Sequence, residues 1–508
     1  MNWIDRAIGY VAPERGEKRA AARTRMDRSV AVRNLYEAAS VGRRTQGWRP
    51  VSTDANAENR LAISRLREVT RDMVRNNPRA ASGKLVITNN AVGSGLLPRV
   101  IATRPDRVAT IKALLKRHFD STDIDADGRL NLYGLQNLAM GTVVESGEVL
   151  IRRRIRRVTD GYALPFQIQV LEPDFLDTDV EGTLSSGNVA VQGVEYDLRG
   201  KRVAYWLFDE HPGAITRGPG SKGRGRSQRV SADFVAHVYR VDRPGQVRGV
   251  SWFAPVIVRM HDLADYADAQ LLRQKIAACF AAFITTDASI GDDDDLPESG
   301  GVSSTGLPLE QIEPGIIERL KPGQGVTTLT PPGTADFGPY ESVTLHEIAA
   351  GLGIPFEAFT GNLGEVSFIS GRLGRIQFRA NVDAWRWNML VPQMLDPIAA
   401  WTMEAATVVT GSSEPFTLGW TPPRWEMLSP SEEIAASKDA IRAGLSWLSE
   451  EQRVGGFDPE DVRAGILEDM AWADTNNVVL DSDARRVTTR GVAQKDADPN
   501  AGGNDRSE

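Results

Sequence analysis

The chain has 508 residues, 41% hydrophobic and 25% charged, an ordinary globular composition with room for two to four domains. A single cysteine, Cys279 in the apolar run IAACFAAFI, excludes a disulfide framework and reads as a small core residue in a reducing compartment. No apolar run approaches the ~20 residues of a membrane span, and MNWIDRAIGYVAPERGEK lacks the order of a signal peptide. The expectation is a soluble, cytoplasmic product without a membrane partner. The net charge of −7 hides an asymmetry: Arg15, Arg19, Arg23, Arg25, Arg28, Arg33, Arg43, Arg44 and Arg49 crowd the start of an otherwise acidic chain. Such an arm suits a nucleic acid or an acidic neighbouring surface; a solvated arm is the alternative.

After this arm, the spacing of Leu61, Ile63, Leu66, Val69 and Met73 predicts a helix over 59–78, stopped at Pro78. From about 84 to 250 the segments KLVITNNAVGSG, EVLIRRRIR, FQIQVLEP, GVEYDLRGKRVAYWLF and DFVAHVYRV read as β-rich, with one helical interlude near 107–119. A long helix follows at 254–284, with Pro255 at its start. Then come a Gly/Ser/Asp-rich insert with short β-like pieces, a helix at 340–351, and the glycine-rich stretch GNLGEVSFISGRLGR at 361–375. Helices at about 371–391 and 395–408, a strand-like FTLGW and a helical C-terminal part to about 472 complete the ordered sequence. The tail KDADPNAGGNDRSE has the composition of disorder.

No motif offers a catalytic constellation. Asp123, Asp125, Asp127 and Gly128 match the first half of a calcium loop, but the twelfth position, which needs a bidentate Glu, holds Gly134. An acidic turn is the better reading. The run Asp292, Asp293, Asp294, Asp295 reads as a solvated charge run or a docking surface for a basic partner. His346-Glu347 lacks the second histidine of a zincin, GPGSKGRGR is not in P-loop order, and no G-x-S-x-G elbow occurs. No cofactor, metal site or enzymatic activity is expected, and a structural or binding role is.

Two helical patterns carry more. Asp262, Asp265 and Asp268 recur every three residues on one face of the long helix, with Met260, Leu263, Ala267 and Leu271 on another. Later, Leu373, Ile376, Ala380, Ala384, Trp387, Leu390 and Met394 form an apolar face beside a basic stripe of Arg372, Arg375, Arg379 and Arg386. Ordinary solvent faces and ion pairs between neighbouring subunits both fit these stripes.

Several blocks in order carry a resemblance: LREVTRDMVRNNPRAASGKLVITNNAVGSG, DADGRLNLYGLQNLAMGTVVESGEVLIRRR, LPFQIQVLEPDFLDT, GVEYDLRGKRVAYWLF, HVYRVDRPGQVRGVSW entering the long helix, and LHEIAAGLGIPFEAFTG. Together, from about residue 30 to 480, they resemble the lambda-type portal proteins of tailed bacteriophages. The resemblance implies an α+β, ring-forming portal fold with an α/β wing, long stem helices, a small α/β clip and a helical C-terminal crown. The implied divisions are an Arg-rich arm (1–58), wing (59–253), first stem helix (254–285), clip (286–337), second stem helix (338–352), tunnel-loop region (353–371), wing helices (372–424), crown-like helices (425–480) and a disordered tail (481–508).

It also implies a homo-oligomeric ring, typically a dodecamer, at one capsid vertex. Through it a terminase ATPase packages double-stranded DNA without reading sequence, and DNA is later ejected. Implied partners are the terminase large subunit, major capsid and scaffold proteins, and head-completion or adaptor proteins. The implied location is the virion, with host cytoplasm during assembly. Expected DNA-contacting tunnel-loop residues are Glu365, Val366, Ser367, Phe368, Ile369 and Ser370, with Ser370 as the N-cap of the next helix. The family often has Asn-Tyr-Ser-Ser-x-Arg here, and this chain departs from it at positions 367–369. Asp262, Asp265 and Asp268 are the channel-lining candidates. Asp292, Asp293, Asp294, Asp295, Glu310, Glu313 and Glu318 are the clip candidates for terminase docking. Two other readings remain: another minor capsid or head-completion protein, and a metal-dependent DNA-processing enzyme using the acidic clusters.

Overall fold

In a computed structural model the described residues are chiefly 52–215, 226–278, 337–364, 367–427 and 429–480. The chain divides into two units, Met1–Asp54 and Ala55–Glu508. Of the first, residues 21–24 form one helical turn, and little else is described. The second unit is α+β and holds everything below.

It opens with α1 (Ala55–Arg60), α2 (Ile63–Asn76) and α3 (Pro78–Ala91). Pro78 ends one helix and begins the next. Asn77 caps α3, its side-chain oxygen accepting from the amides of Arg79 (2.9 Å) and Ala80 (3.3 Å), while the proline occupies a position whose N–H is not needed. The segment KLVITNNA, expected as strand, is therefore helix. Its buried residues Ala80, Gly83, Ile87 and Ala91 recur at helical spacing, and Gly83 lets the helix approach Leu352 closely. After β1 (Leu97–Ile101) and α4 (Pro105–Phe119) comes α5 (Leu132–Ser146), a helix that the β-rich reading missed. It is apolar almost all round, so it shows no amphipathic stripe. The Asp125 carboxylate accepts from the backbone amides of Asp127, Arg129 and Leu130, which makes the calcium-like motif a self-satisfied acidic turn.

The strands make three antiparallel sheets. β2 (Glu148–Ile155) lies between β3 (Phe166–Leu171) and β9 (Val235–Tyr239), in registers Leu150↔Leu171 and Glu148↔Tyr239. β4 (Gly182–Thr183), β5 (Val189–Val191), β6 (Val194–Tyr196), β7 (Arg202–Phe208) and β8 (Ser227–Ser231) form a five-stranded meander. β10 (Thr417–Thr421) returns to pair with β1, Leu97↔Thr421 to Ile101↔Thr417. The main core lies between the helices and the β2 sheet, and a smaller one lies under the meander.

A buried ionic knot joins these layers. Glu148, at the start of β2, accepts from Arg248 (Nη2 2.5 Å, Nε 2.8 Å), from the Gly249 amide (2.9 Å) and from His237 Nε2 (2.9 Å). Arg248 also donates to the Gln192 carbonyl in the meander (3.3 Å), and Arg67 of α2 lies 3.7 Å from Glu148. Burial raises the Glu148 pKa, but Arg248 and His237 outweigh it and hold the carboxyl well below the usual carboxylate range. For His237 burial dominates and pulls the pKa down, so the imidazole is neutral and donates from Nε2. Gly147 and Gly249 meet back to back: a Cβ on Gly249 would lie 2.2 Å from the Gly147 carbonyl oxygen. The run HVYRVDRPGQVRGVSW thus encodes this knot. Its Gln246 ties the turn, accepting from the amides of Asp242 (2.9 Å) and Arg243 (3.1 Å).

The long helix α6 (Ile257–Ala278) begins three residues later than expected; residues 279–284 fall outside the described set. α7 spans Phe337–Leu352 and α8 Phe356–Thr360. α9 (Phe368–Trp385), a π-helical segment (Arg386–Leu395) and α10 (Asp396–Thr410) form one continuous helical run where two helices were expected. The wider turns take up Pro392, which has no amide to donate. Three helices follow, α11 (Pro430–Arg442), α12 (Leu448–Val454) and α13 (Pro459–Thr475), in which Pro459 and Ala473 are the buried positions.

Candidate functional site

α6 and α7 pack antiparallel. Arg259 pairs with Glu347 (2.8 Å), and a turn and a half further along α6 Tyr266 meets Phe337 and Tyr340, at 5.6 and 5.0 Å between rings. Met260 and Leu263 are buried on one side, facing a core that includes Ile348 and Leu352. Gly351 admits Val256, whose Cγ1 would be 2.3 Å from a Cβ there. With that face taken, Asp262, Asp265 and Asp268 are all exposed on the other, and His261 Nδ1 lies 3.2 Å from Asp265. The three candidate channel carboxylates therefore share one solvent-facing side of a helix braced from behind.

The chain turns from α7 to α9 through Gly353 and Gly361, both at positive φ, with α8 between them. Asn381 Nδ2 of α9 donates to the Gly353 carbonyl (3.1 Å), and Gly364 N donates to Asn362 Oδ1 (3.0 Å). Helix α9 starts at Phe368, and its N-cap is Ser367, not Ser370. Ser367 Oγ accepts from Ser370 N (3.2 Å) while Ser370 Oγ accepts from Ser367 N (3.1 Å), a reciprocal box built from two serines. Ile369 is exposed in the first turn of the helix and not on a loop apex. Glu365 and Val366 lie outside the described residues, as do the clip candidates Asp292, Asp293, Asp294, Asp295, Glu310, Glu313 and Glu318.

The four arginines do not form one stripe. Arg372 and Arg375 are exposed, Arg379 is half-buried, and Arg386 is fully buried. Arg386 donates to the carbonyls of Ala91 (2.7 Å) and Asn90 (2.8 Å), capping the C-terminus of α3. Its guanidinium also sits 4.8 Å from the Trp425 ring, on which Arg379 lies at 5.1 Å. Arg372, Arg375, Arg379 and Arg424 line a cleft of 840 Å³ between the start of α9 and residues 423–426.

The apolar stripe also divides. Leu390 and Met394 are buried, but Leu373, Ile376, Ala380, Ala384 and Trp387 face outward; Phe378 and Val382 make the core contact instead. The wider turns after Arg386 change the helical phase, so a stripe drawn at constant period passes from the outside to the inside.

Sequence reasoning missed the Glu148 knot and a group of Glu172, Asp174 and His211, whose ligand atoms lie within 4.8 Å of one another. Arg71 sits 2.6 Å from Asp174 and 3.4 Å from Glu172, and Arg67 lies 3.1 Å from Asp174. Burial raises the Asp174 pKa, but these guanidiniums outweigh it and hold the carboxyl below its ordinary value. The group reads as an ion-pair network locking α2 to the sheet. Among the described residues no helix is long and apolar enough to cross a membrane.

A fold of this class, α+β with paired long helices and a glycine-rich corner, matches a known family over most of its length. The chain belongs to the lambda family of phage portal proteins, whose model matches residues 41–386. It is 27% identical over 424 residues to a probable portal protein of Halomonas phage phiHAP-1, covering 80% of each chain. It is 22% identical over 499 residues to the portal protein of Escherichia phage N15, covering 85% of this chain and 91% of the other. Among solved structures it is similar to a chain in the neck of a native gene transfer agent particle (15% identity, TM-score 0.40), covering 77% of this chain and 94% of that one.

Proposed function

We infer that copies of this chain assemble into a ring, a dodecamer, at one vertex of a phage capsid. Genomic DNA is driven in through its channel by a terminase motor and leaves by the same route. The observation that carries this reading is family membership over residues 41–386. The outward apolar stripe on α9 supports the ring, because a helix apolar on opposite faces needs a neighbour on the second.

In this reading residues 59–253 and 372–424 are the wing, α6 and α7 the stem, 286–337 the clip and 425–480 the crown. Asp262, Asp265 and Asp268 line the channel, where carboxylates repel phosphates and keep the polyanion from sticking. Residues 365–370 at the head of α9 touch the passing duplex without reading bases. The clip docks the terminase large subunit and later the head-completion proteins; scaffold and major capsid proteins hold the rim. The protein resides in the virion, after assembly in the host cytoplasm, and performs no chemistry of its own.

The test is reconstituted packaging. Proheads carrying this chain take up DNA when given terminase and ATP, and proheads lacking it do not. Equal uptake without the chain overturns the reading.

A further inference from the structure

The outward face of α9 and the outward face of α13 have complementary character. On α9, Leu373 is 67% exposed, Ile376 54% and Trp387 46%, with Ala380 and Ala384 between them. At about 100° per residue this stripe lies opposite Phe378 and Val382, the residues that reach the core. It therefore cannot fold back onto its own chain. Beside it Arg372 and Arg375 have no ion-pair partner among the described residues. On α13, Leu467 is 66% and Trp472 58% exposed, with Ala464 and Ala471 on the same face and Glu460 and Glu468 flanking it. Only Pro459 and Ala473 of that helix are buried. The surrounding C-terminal helices are rich in carboxylates, among them Glu432, Glu433, Glu450, Glu451 and Asp469.

We propose that α13 of one copy packs on the outward face of α9 of the next, seating Leu467 and Trp472 against Leu373, Ile376 and Trp387 and pairing Glu460 and Glu468 with Arg372 and Arg375. Each helix offers large side chains separated by alanines, the relief that lets ridges enter grooves. The two patches lie on different elements of the chain, so the contact is heterologous, the kind that propagates around a ring. An exposed apolar row rimmed by charge is otherwise an aggregation liability. This inference rests on the ring reading and names the joint that holds it.

The experiment compares full-length wild type with Arg372→Glu/Arg375→Glu, Glu460→Arg/Glu468→Arg, and all four changes together, by native mass spectrometry across a concentration series. All four positions are exposed, so folding is preserved, and matching circular dichroism verifies it. Each pair alone is expected to raise the concentration needed for half-assembly at least tenfold, and the fourfold variant to return it to within threefold of wild type. If wild type forms rings and the arginine pair leaves them unchanged, the face is free for another partner and the inference fails while the ring stands. Weakening without recovery in the fourfold variant means that α9 meets some other surface of the neighbour, which also overturns it. If wild type never forms rings, the ring reading itself falls.

Discussion

Glu148 shows how one side chain can hold three layers together. Its two oxygens receive Arg248, His237 and the Gly249 amide, and Arg248 continues to the Gln192 carbonyl in the second sheet. Removing one partner leaves a buried guanidinium uncompensated, so Glu148→Gln is expected to cost about 3–5 kcal/mol, read as a shift in the urea midpoint. A second expectation concerns acid. His118, buried against Phe119 and Phe166, has its pKa pushed down by burial to about 4, and His237 is also depressed. The unfolded chain then binds protons first as pH falls through 6.5, so stability drops from there until the folded histidines also protonate. Glu148 adds to the loss below its ordinary 4.5, since its stabilisation exists above that value and disappears as pH falls toward the depressed folded one. Stability should be flat above pH 7 and decline between 6.5 and 4, and His118→Leu should shrink that decline; an unchanged slope would contradict it. None of this was legible from spacing. His237 and Arg248 stood in the most distinctive run of the sequence, but their partner lies about a hundred residues earlier, where only the register of β2 with β9 brings it near.

At the scale of elements, the legible helices were those with one apolar face and one polar face, such as α2 and α6. α5 is buried on most sides and α3 is built from small residues, so neither shows a stripe, and β-branched residues in both mimicked strand. In α9 the stripe was seen but assigned to the core; period alone cannot say which of two apolar faces is inside. The start of α9 was misplaced by three residues because SFIS offers two capping serines and only geometry chooses. Ser367→Ala should therefore cost about 1 kcal/mol locally, seen as faster hydrogen exchange of the amides at 368–371, with ring mass unchanged. Ser370→Ala removes only the return bond to Ser367 N and should fray the turn less. Ile369→Ser tests the contact with DNA: assembly should be intact and packaged DNA less well retained. Loss of assembly instead would make Ile369 an interface residue.

For the whole molecule, the order of blocks was legible and the assembly was not, because a ring is a property of surfaces that one chain leaves uncovered. Those surfaces are the outward stripe of α9, the C-terminal helices with little core of their own, and the carboxylate side of α6. Reversing the last, with Asp262, Asp265 and Asp268 all changed to Lys, should leave assembly unaltered. It should turn a channel that ignores duplex DNA into one that binds it with strong salt dependence. If the variant rings bind DNA no better than wild type, these carboxylates do not face the lumen. The central claim is the ring, and electron microscopy of the purified full-length protein tests it most directly. Closed rings of uniform subunit number around an open central hole are the predicted result, and monodisperse monomers persisting at high concentration would contradict it.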